Sequence, residues 1–412
     1  MKNVYDIRYE KNLIYILPEG MKKSLRIKYT KTAVILYLYY IDTLSFYYTY
    51  IDVIPNTIDM YIISSREEVL EAIRTHEGDF ANRNVRYILK ENRGRDVSAL
   101  LVTSLEIVKN YQYICFLHDK KAREERFKKD TDLWIENLWV NMIGSPAYID
   151  NLINLFEENK TLGILAPPDP IGDQFATWYG YGWYGSFGIT RKIASELHLK
   201  VDLRIDKPPI TIGTALWFRR EALEKLFAKR WSYDDFDDEE LKKEDDLSYG
   251  IERIFAYVAQ DAGYDTGTVM TTSYAEKQTN YLQYSTRKIF AEFQHYFPFH
   301  SISMIEAYKK SIEKMIHFAK NNQYFYLYGA GELGRFCHYV LREQNLLPVG
   351  YLVSEAGEKK VSEGLSVIVL SEISIKDNAG IIITVFEQAA RESIRKNLER
   401  QGLYNYMEFW RQ

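Results

Sequence analysis

The sequence predicts an α/β protein with a large Rossmann-type domain followed by a small Rossmann-like α/β domain. From residue 33 onward, short apolar runs alternate with polar breaks and longer stretches of helical periodicity, which is typical of βαβ units around a mostly parallel sheet. A second such pattern begins near Gln323 and has its own glycine turn. A chain of 412 residues also exceeds what one hydrophobic core usually serves. We therefore expect domains at 1–280 and 323–412, joined by a helical connector at 281–322.

The first domain begins with four predicted strands, each a run of apolar residues. They cover residues 33–39, 58–64, 85–89 and 113–117. The segments between them carry apolar residues at helical spacing, which predicts crossover helices at 43–53, 67–75 and 97–110. In such a sheet, ligands bind at the carboxyl ends of the strands. We expect a ligand site where these strands end, at residues 39–40, 64–65, 92–95 and 118–120.

The rest of the chain is read more coarsely. In the first domain the pattern predicts a strand at 215–218, a helix at 247–262 ending at Gly263, and a strand at 268–272. Residues 285–320 are predicted to be helical. The second domain is predicted as a strand at 324–328, a glycine turn at 329–334, a helix at 335–344 and a strand at 349–353.

Composition restricts the possible partners. No apolar run approaches the roughly 18 residues that a membrane span needs, and the N-terminal residues lack the apolar core of a secretory signal. We expect a soluble protein that is cytoplasmic or peripheral at the inner face of the membrane. Cys115 and Cys337 lie far apart in apolar segments, so we expect buried thiols without a disulfide or zinc. A net charge of -4 disfavours nucleic acid and leaves small anionic ligands as the expected partners.

A basic motif follows the third predicted strand. Arg93 and Arg95 flank Gly94, and Asp96 begins the next helix. Guanidinium groups match phosphate oxygens, and a helix N-terminus adds free N–H groups, so this segment suits a diphosphate. The alternative is a surface ion pair between the arginines and Asp96 that caps the helix.

The fourth predicted strand runs directly into His118, Asp119, Lys120 and Lys121. Asp119 is a candidate ligand for Mg²⁺ or Mn²⁺ held against a diphosphate. Lysine can also neutralise the departing phosphate charge without a metal ion. A solvated strand end is the alternative for this short motif taken alone.

Several segments together resemble the rhamnan synthesis protein F family over roughly residues 30–275. The resemblance rests on residues 39–42, 92–96, 113–121, 213–219 and 250–253. It implies a GT-A-like glycosyltransferase that extends rhamnose-containing cell-surface polysaccharide, such as cell-wall glycan, from a nucleotide-activated sugar. This sequence departs from the family at Asp119, where threonine is common, and at Tyr249, where histidine is common. Taken together, the strand ends and these motifs predict as donor-binding residues Tyr39, Tyr40, Asp42, Ser64, Arg93, Gly94, Arg95, Asp96, His118 and Lys120.

An acidic segment precedes the helix predicted at 247–262. An inverting transferase needs a carboxylate that takes a proton from the acceptor hydroxyl. Asp245 and Asp246 are the equal first candidates, ahead of Glu244 and Glu252. Helix capping and solvation are the alternative reading of these acids. Glu252 is instead expected to form an internal ion pair with Arg253.

Aromatic residues near the middle of the chain are the candidate acceptor platform. Trp178, Trp183 and Tyr184 can stack on sugar faces, although packing in the core is the equal alternative. The expected partners are a nucleotide-sugar donor, a glycan or lipid-linked glycan acceptor, and other polysaccharide-assembly enzymes.

The second domain carries Gly329, Gly331 and Gly334 in a G-x-G-x-x-G turn, with acidic Glu355 about 20 residues further on. This pattern predicts a site for NAD or a nucleotide sugar with a regulatory or assembly role. Two other functions stay open at this point. One is a non-catalytic glycan-binding or scaffold subunit, and the other is an NAD-dependent sugar oxidoreductase acting through the second domain.

Overall fold

Strands and helices alternate along the chain in the computed structural model, and the predicted α/β fold class is confirmed. The structure describes residues 12–20, 31–76, 84–122, 124–171, 183, 185–205, 209–237, 247–296, 302–355, 357, 360–372 and 379–409. The chain divides into two compact units, Met1–Tyr281 and Leu282–Gln412. A separate helical connector over 281–322 stays a prediction.

The first unit is built on one eight-stranded sheet. Its strands are β1 (Asn12–Leu17), β2 (Thr32–Tyr37), β3 (Asp59–Ser64), β4 (Val85–Leu89), β5 (Tyr113–His118), β6 (Leu162–Ala166), β7 (Leu216–Arg219) and β8 (Asp265–Thr271). They lie in the order β1-β8-β6-β7-β5-β2-β3-β4. Strand β7 runs antiparallel to its neighbours β5 and β6, whereas the other pairs are parallel. The carboxyl ends of β2 to β5 therefore lie along one edge.

Helices cover the two faces of this sheet. They are α1 (Leu44–Ile51), α2 (Glu67–Arg74), α3 (Arg95–Ser98), α4 (Leu105–Val108), α5 (Lys128–Ile143), α6 (Pro146–Glu158), α7 (Phe187–Glu196), α8 (Glu224–Ala228) and α9 (Leu247–Asp261). The next helix, α10 (Thr272–Tyr296), begins in this unit and continues beyond its last residue, Tyr281. Single 3₁₀ turns are present at Ile41–Thr43, Glu125–Phe127, Arg220–Leu223 and Tyr233–Asp235. Within the described ranges, no helix combines the length and apolar character that crossing a bilayer requires.

The strand periodicity explains how one sheet serves two cores. Side chains alternate across a strand, so neighbouring residues of β2 enter opposite faces. Ile35 packs with residues such as Val97 and Phe255 on one face, and Val34 packs with residues such as Trp139 on the other. Every residue of β2 is buried. This burial explains why a central parallel strand reads as a continuous apolar run rather than as an alternating pattern.

The helix predicted at 97–110 differs from the structure. A π-helical turn over Ala99–Thr103 separates α3 from α4. The Ser104 N–H donates to the Ala99 carbonyl at 3.0 Å, and the Ser104 hydroxyl donates to the same oxygen at 2.7 Å. The apolar residues keep their helical spacing over this segment, although the backbone changes from α-helix to π-helix and back. The sequence pattern therefore does not reveal the π-helical turn.

Two strands of this sheet were missed. Strand β1 pairs with β8 at the sheet edge, and Ile14 and Ile16 on it are exposed. Strand β6 lies between β8 and β7 and is buried throughout. Both are short apolar runs without a strong turn signal before them, so their pairing depends on partners that are distant in sequence.

The second unit holds a six-stranded sheet. Its strands are β9 (Phe325–Tyr328), β10 (Tyr351–Val353), β11 (Val361–Ser362), β12 (Leu365–Val369), β13 (Gly380–Ile383) and β14 (Tyr406–Glu408), in the order β11-β12-β10-β9-β13-β14. Its helices are α11 (Ile302–Lys320), α12 (Glu332–Glu343) and α13 (Gln388–Arg400), with a 3₁₀ turn at Leu370–Glu372. Met315 and Ala319 of α11 are buried in the core of this unit. The predicted order of strand, glycine turn, helix and strand is present.

Candidate functional site

The ends of four strands form the candidate site. We call the side of the large sheet where β2, β3, β4 and β5 end the carboxyl edge. Strand register aligns these ends, because Tyr37 of β2 lies opposite both Ile63 of β3 and His118 of β5. Ser64 of β3 lies opposite Leu89 of β4. The donor-binding residues predicted from the sequence either end one of these four strands or lie in the segment that follows it.

Asp119 ties two of the strand ends together. Its Oδ2 atom accepts the backbone N–H groups of Tyr39 and Tyr40, each at 2.8 Å. The side chain is buried, and burial raises its pKa to about 7, although the two amide hydrogen bonds oppose that rise. Asp119 therefore positions the Tyr39–Tyr40 backbone at the carboxyl edge.

The carboxylate of Asp119 fits a protein-held metal ion poorly, because one of its two oxygens already accepts two amides. No group of three or more histidine, cysteine, aspartate or glutamate side chains in the described ranges could hold a metal ion. The role of Asp119 as a ligand for Mg²⁺ or Mn²⁺ stays a prediction.

A buried acid faces a buried imidazole at the carboxyl edge. Asp96 Oδ2 lies 3.8 Å from His118 Nε2, and neither atom has a hydrogen-bond partner in the described structure. Burial by itself would raise the pKa of Asp96. The electrostatic interactions with His118 and Lys120 oppose this effect, and the pKa of Asp96 is lower than its usual value. Burial lowers the pKa of His118 to about 4, although Asp96 opposes this. At neutral pH the carboxylate is therefore ionised and the imidazole is neutral.

The burial of Asp96 also decides between the two sequence interpretations of its role. A surface ion pair with Arg93 or Arg95 would need an exposed carboxylate, whereas the side chain points inward to His118. The buried hydroxyl of Thr214 lowers the pKa of Asp96 through a side-chain hydrogen bond. Asp96 Oδ2 and His118 Nε2 are buried without a partner in the described structure, and such atoms mark a place where a polar ligand group or water can bind.

The arginine loop has an unusual backbone. Gly94 has φ 66° and Arg95 has φ 47°, so two successive residues adopt the left-handed region. Such a conformation is uncommon for arginine and concentrates at functional sites. The Arg93 guanidinium donates to the Phe236 carbonyl at 3.1 Å and to Asp234 Oδ1 at 3.2 Å. The loop is thereby fixed against residues 234–236.

Lys90 is a candidate site residue that sequence reasoning missed. Its ammonium group is buried and donates to the carbonyls of Glu91 at 2.6 Å and Arg93 at 3.0 Å. It also lies 5.1 Å from the centre of the Tyr37 ring. A lysine directly between a strand and a basic motif was the available signal. Lys90 holds the arginine loop in shape while adding positive charge beneath it.

The remaining predicted donor residues differ in exposure. Lys120 lies with its ammonium group 4.2 Å from the centre of the Trp134 ring. Asp42 is exposed and forms an ion pair with Lys121, which lowers its pKa. Ser64 is fully buried, and its hydroxyl accepts the Arg66 N–H at 3.1 Å. Ser64 therefore shapes the turn after β3 and does not present its side chain at the surface.

Helix α9 brings a further carboxylate to the carboxyl edge. Glu252 Oε2 lies 3.2 Å from Arg253 Nη1, so the predicted internal ion pair is present. Burial raises the pKa of Glu252, and the charge of Asp96 adds to that rise, while Arg253 and Lys120 oppose it. Glu252 therefore lies close enough to Asp96 and Lys120 to interact with them electrostatically. The sequence did not indicate this proximity, because more than 130 residues separate Glu252 from both of them.

The remaining catalytic and acceptor predictions have mixed outcomes. Asp245, Asp246, Trp178 and Tyr184 lie outside the described residues. Trp183 is a correction, because it is only 6% exposed and stacks with Tyr257 at 6.1 Å in the core. Such a buried ring cannot form an open platform for an acceptor sugar.

The glycine turn of the second unit follows the predicted geometry. Gly329 follows β9 with φ 120°, and α12 begins at Glu332. A Cβ atom on Gly334 would lie 1.9 Å from the Gly329 carbonyl oxygen, whereas one on Gly331 would meet no atom within 4 Å. Two glycines therefore allow the turn and helix to pack, and the third leaves open space above the turn. Binding of NAD or a nucleotide sugar there stays a prediction.

Comparison with known proteins identifies a family match for the first unit. Residues 1–264 match the model of the family described as Rhamnan synthesis protein F. The chain is also 25% identical over 191 residues to an uncharacterized protein, WxcX, from two strains of Xanthomonas campestris pv. campestris. That match covers 44% of this chain and 25% of WxcX, so the chain spans about a quarter of the length of these relatives.

One solved structure similar to this chain is the mannosyltransferase PcManGT from Pyrobaculum calidifontis in complex with GDP-Man and Mn²⁺. The identity is 14%, the TM-score is 0.31, and the match covers 76% of this chain and 68% of that chain. Similarity at this level does not establish a shared fold.

Proposed function

The chain belongs to the rhamnan synthesis protein F family, and on that premise we propose that it is a GT-A-like glycosyltransferase. The proposed reaction moves a hexosyl group, L-rhamnose in the leading version, from a nucleoside diphosphate to a growing cell-surface polysaccharide or lipid-linked glycan. Inversion at the anomeric carbon is part of the proposal. The partners proposed are the nucleotide sugar, the glycan acceptor and other enzymes of polysaccharide assembly.

The observation that carries this proposal is the grouping of charge at the carboxyl edge. Arg93 and Arg95 follow β4 and Lys120 follows β5, two strands that end at this edge with β2 and β3 between them. The loop after β4 nevertheless reaches the end of β5, because Asp96 Oδ2 lies 3.8 Å from His118 Nε2, and the buried Lys90 supports this loop from below. Parallel sheets bind ligands at this edge, and guanidinium groups match phosphate oxygens. A nucleoside diphosphate has the negative charge and the size that such a cluster would hold.

Roles for the individual residues follow from this arrangement. Arg93 and Arg95 would bind the diphosphate, and Lys120 would neutralise the charge that develops on it as the sugar leaves. Tyr39 and Tyr40, held by Asp119, would line the nucleotide. Asp96 and His118 would receive polar groups of the donor, since their facing atoms lack hydrogen-bond partners in the described structure. None of these roles requires a metal ion.

The proposal is tested by nucleotide binding to the full chain. Thermal unfolding is followed with a panel of nucleoside diphosphates and their sugars, because a ligand that binds only the native state raises the melting temperature. The wild type should be stabilised by a member of the panel, and R93A/R95A should lose that stabilisation. The melting temperature of the variant without nucleotide shows whether its fold is intact.

Arg220→Ala is the matched control. Arg220 follows β7, whose last residue pairs with Tyr113 at the start of β5, so its guanidinium lies at the opposite edge of the sheet. It is half-buried and pairs with Glu221 and Glu224. R220A should keep the full nucleotide response. An unchanged response in R93A/R95A would refute the donor-site assignment.

A further inference from the structure

The proposed transfer needs a base, and three largely buried carboxylates of the described residues lie at the carboxyl edge. They are Asp96, Asp119 and Glu252. Each has a different environment, and pairs of acids whose surroundings separate their pKa values mark different roles in a site. The question of which one can take a proton from an acceptor hydroxyl rests on the proposed function.

Two of the three are poorly suited to accept a proton from a substrate. Asp119 is only 6% exposed, and its Oδ2 already accepts the amides of Tyr39 and Tyr40, so that oxygen is occupied by the backbone. Asp96 is more suited to staying ionised, because His118 and Lys120 hold its pKa below the usual value. A carboxylate with a low pKa is a weak base.

Glu252 has the opposite environment. Burial, with the charge of Asp96 added, raises its pKa, and the side chain retains 15% exposure. Arg253 occupies one side of the carboxylate through Oε2 at 3.2 Å. An acid that is held by one partner, raised in pKa and still reachable is a stronger base than an ordinary carboxylate.

The packing of α9 places Glu252 near the arginine loop. Helix α9 contacts α3, the helix that carries Asp96. Val97 of α3 and Ile251 of α9 lie in the same buried core. Glu252 follows Ile251 in the chain, and its carboxylate interacts electrostatically with Asp96 and Lys120.

We propose that Glu252 is the general base of the transfer reaction. Its carboxylate takes the proton of the acceptor hydroxyl as that oxygen forms a bond to the anomeric carbon. The bond between this carbon and the diphosphate oxygen breaks, and the nucleoside diphosphate leaves with the electron pair beside Lys120. The products are the glycoside, the nucleoside diphosphate and protonated Glu252, which returns its proton to solvent.

The test compares E252Q with D261N in the full chain. Asp261 ends the same helix, is almost fully buried and pairs with Lys225, so D261N neutralises a matched carboxylate away from the carboxyl edge. Donor binding is measured by thermal shift with nucleoside-diphosphate hexoses and deoxyhexoses. Transfer to p-nitrophenyl glycosides is measured by release of the nucleoside diphosphate.

E252Q should reduce transfer by at least about a hundredfold, as expected for loss of a general base, and should keep donor binding within about twofold. Since the folded protein raises the pKa of Glu252, ionised Glu252 costs stability at neutral pH, and the neutral amide should not lower the melting temperature. D261N should keep its transfer rate. A purely structural Glu252 would instead give E252Q a lower melting temperature with donor binding and transfer reduced together.

Azide provides a second readout. In E252A, azide can attack the anomeric carbon and displace the nucleoside diphosphate without any proton to remove, so azide should restore release of the nucleoside diphosphate. Full transfer by E252Q, or the absence of azide rescue in a folded E252A that binds donor, would overturn the assignment. Loss of transfer in D245N/D246N with normal E252Q activity would move the base to that segment. A wild type that binds and transfers nothing in the panel would instead refute the proposed function itself.

Discussion

Gly94→Ala gives the most direct test of how the arginine loop is built. Gly94 has φ 66° and ψ 13°, a left-handed conformation that costs an L-residue about 1–2 kcal/mol. A Cβ atom there would lie 2.6 Å from Phe236 Cγ and 2.8 Å from both Phe236 Cβ and Ser98 Cβ. These atoms are close to their own backbones and cannot easily move away.

The size of the effect follows from these two contributions. Overpacking of this kind costs about 1–3 kcal/mol, so the variant should lose about 2–5 kcal/mol of unfolding free energy when the conformational cost is included. The clash also displaces Phe236, whose carbonyl accepts the Arg93 guanidinium. We therefore expect G94A to weaken nucleoside-diphosphate binding in the thermal-shift assay as well as to lower stability.

Chemical denaturation followed by tryptophan fluorescence measures this loss. Six of the seven tryptophans precede residue 282, so the signal reports mainly on the first unit. Gly188→Ala is the control, because a Cβ atom at that position in α7 would meet no atom within 4 Å. Alanine is favoured over glycine inside a helix by about 1 kcal/mol, so G188A should be neutral or stabilising. Equal unfolding free energies for G94A and G188A would refute the reasoning about the loop.

Two further predictions concern a buried acid and the second unit. The pKa of Asp119 is raised from 3.8 to about 7, so the protonated form is favoured in the folded protein and stability falls as pH rises through this interval. Asp119→Asn should remove that dependence. In urea titrations, the stability of the variant relative to the wild type should grow by up to about 4 kcal/mol between pH 4 and pH 7. Parallel dependence of the unfolding free energy on pH in the two proteins would contradict this. Gly334→Ala should strongly speed amide hydrogen exchange in β9, because its Cβ atom would lie 1.9 Å from the Gly329 carbonyl oxygen. Gly331→Ala is the control and should leave the exchange unchanged, because there is open space at that position. Similar exchange rates in the two variants would show that the turn tolerates a side chain.

The resemblance of the first unit to a known family was visible in local motifs. Residues 92–96 and 113–121 are contiguous segments whose residue types and order are specific, and the family match over residues 1–264 agrees with them. A binding loop that lies within a few consecutive residues can be recognised without knowing the fold. Even so, the positive φ values of Gly94 and Arg95 could not be predicted from the residue types in these segments.

Side-chain roles that depend on distant partners were misjudged or missed. Trp183 was considered for an acceptor platform, but it packs on Tyr257 in the core. The alternative interpretation of Asp96 as a surface partner of the arginines is wrong, because Asp96 faces His118 inside the protein. Burial is a property of the assembled layers, and an aromatic or acidic residue in isolation carries no signal of which side it will face.

The sequence by itself determined the α/β class and the strands β2 to β5, because their apolar runs and the intervening helical periods are local patterns. It also determined that strand, glycine turn and helix follow one another in the second unit. Only the tertiary structure decided that β7 enters the sheet antiparallel between β5 and β6, and that α9 carries Glu252 to the electrostatic surroundings of Asp96 and Lys120. Strand order and the pKa of a buried acid depend on contacts between residues far apart in the chain, and these contacts exist only after the layers have packed.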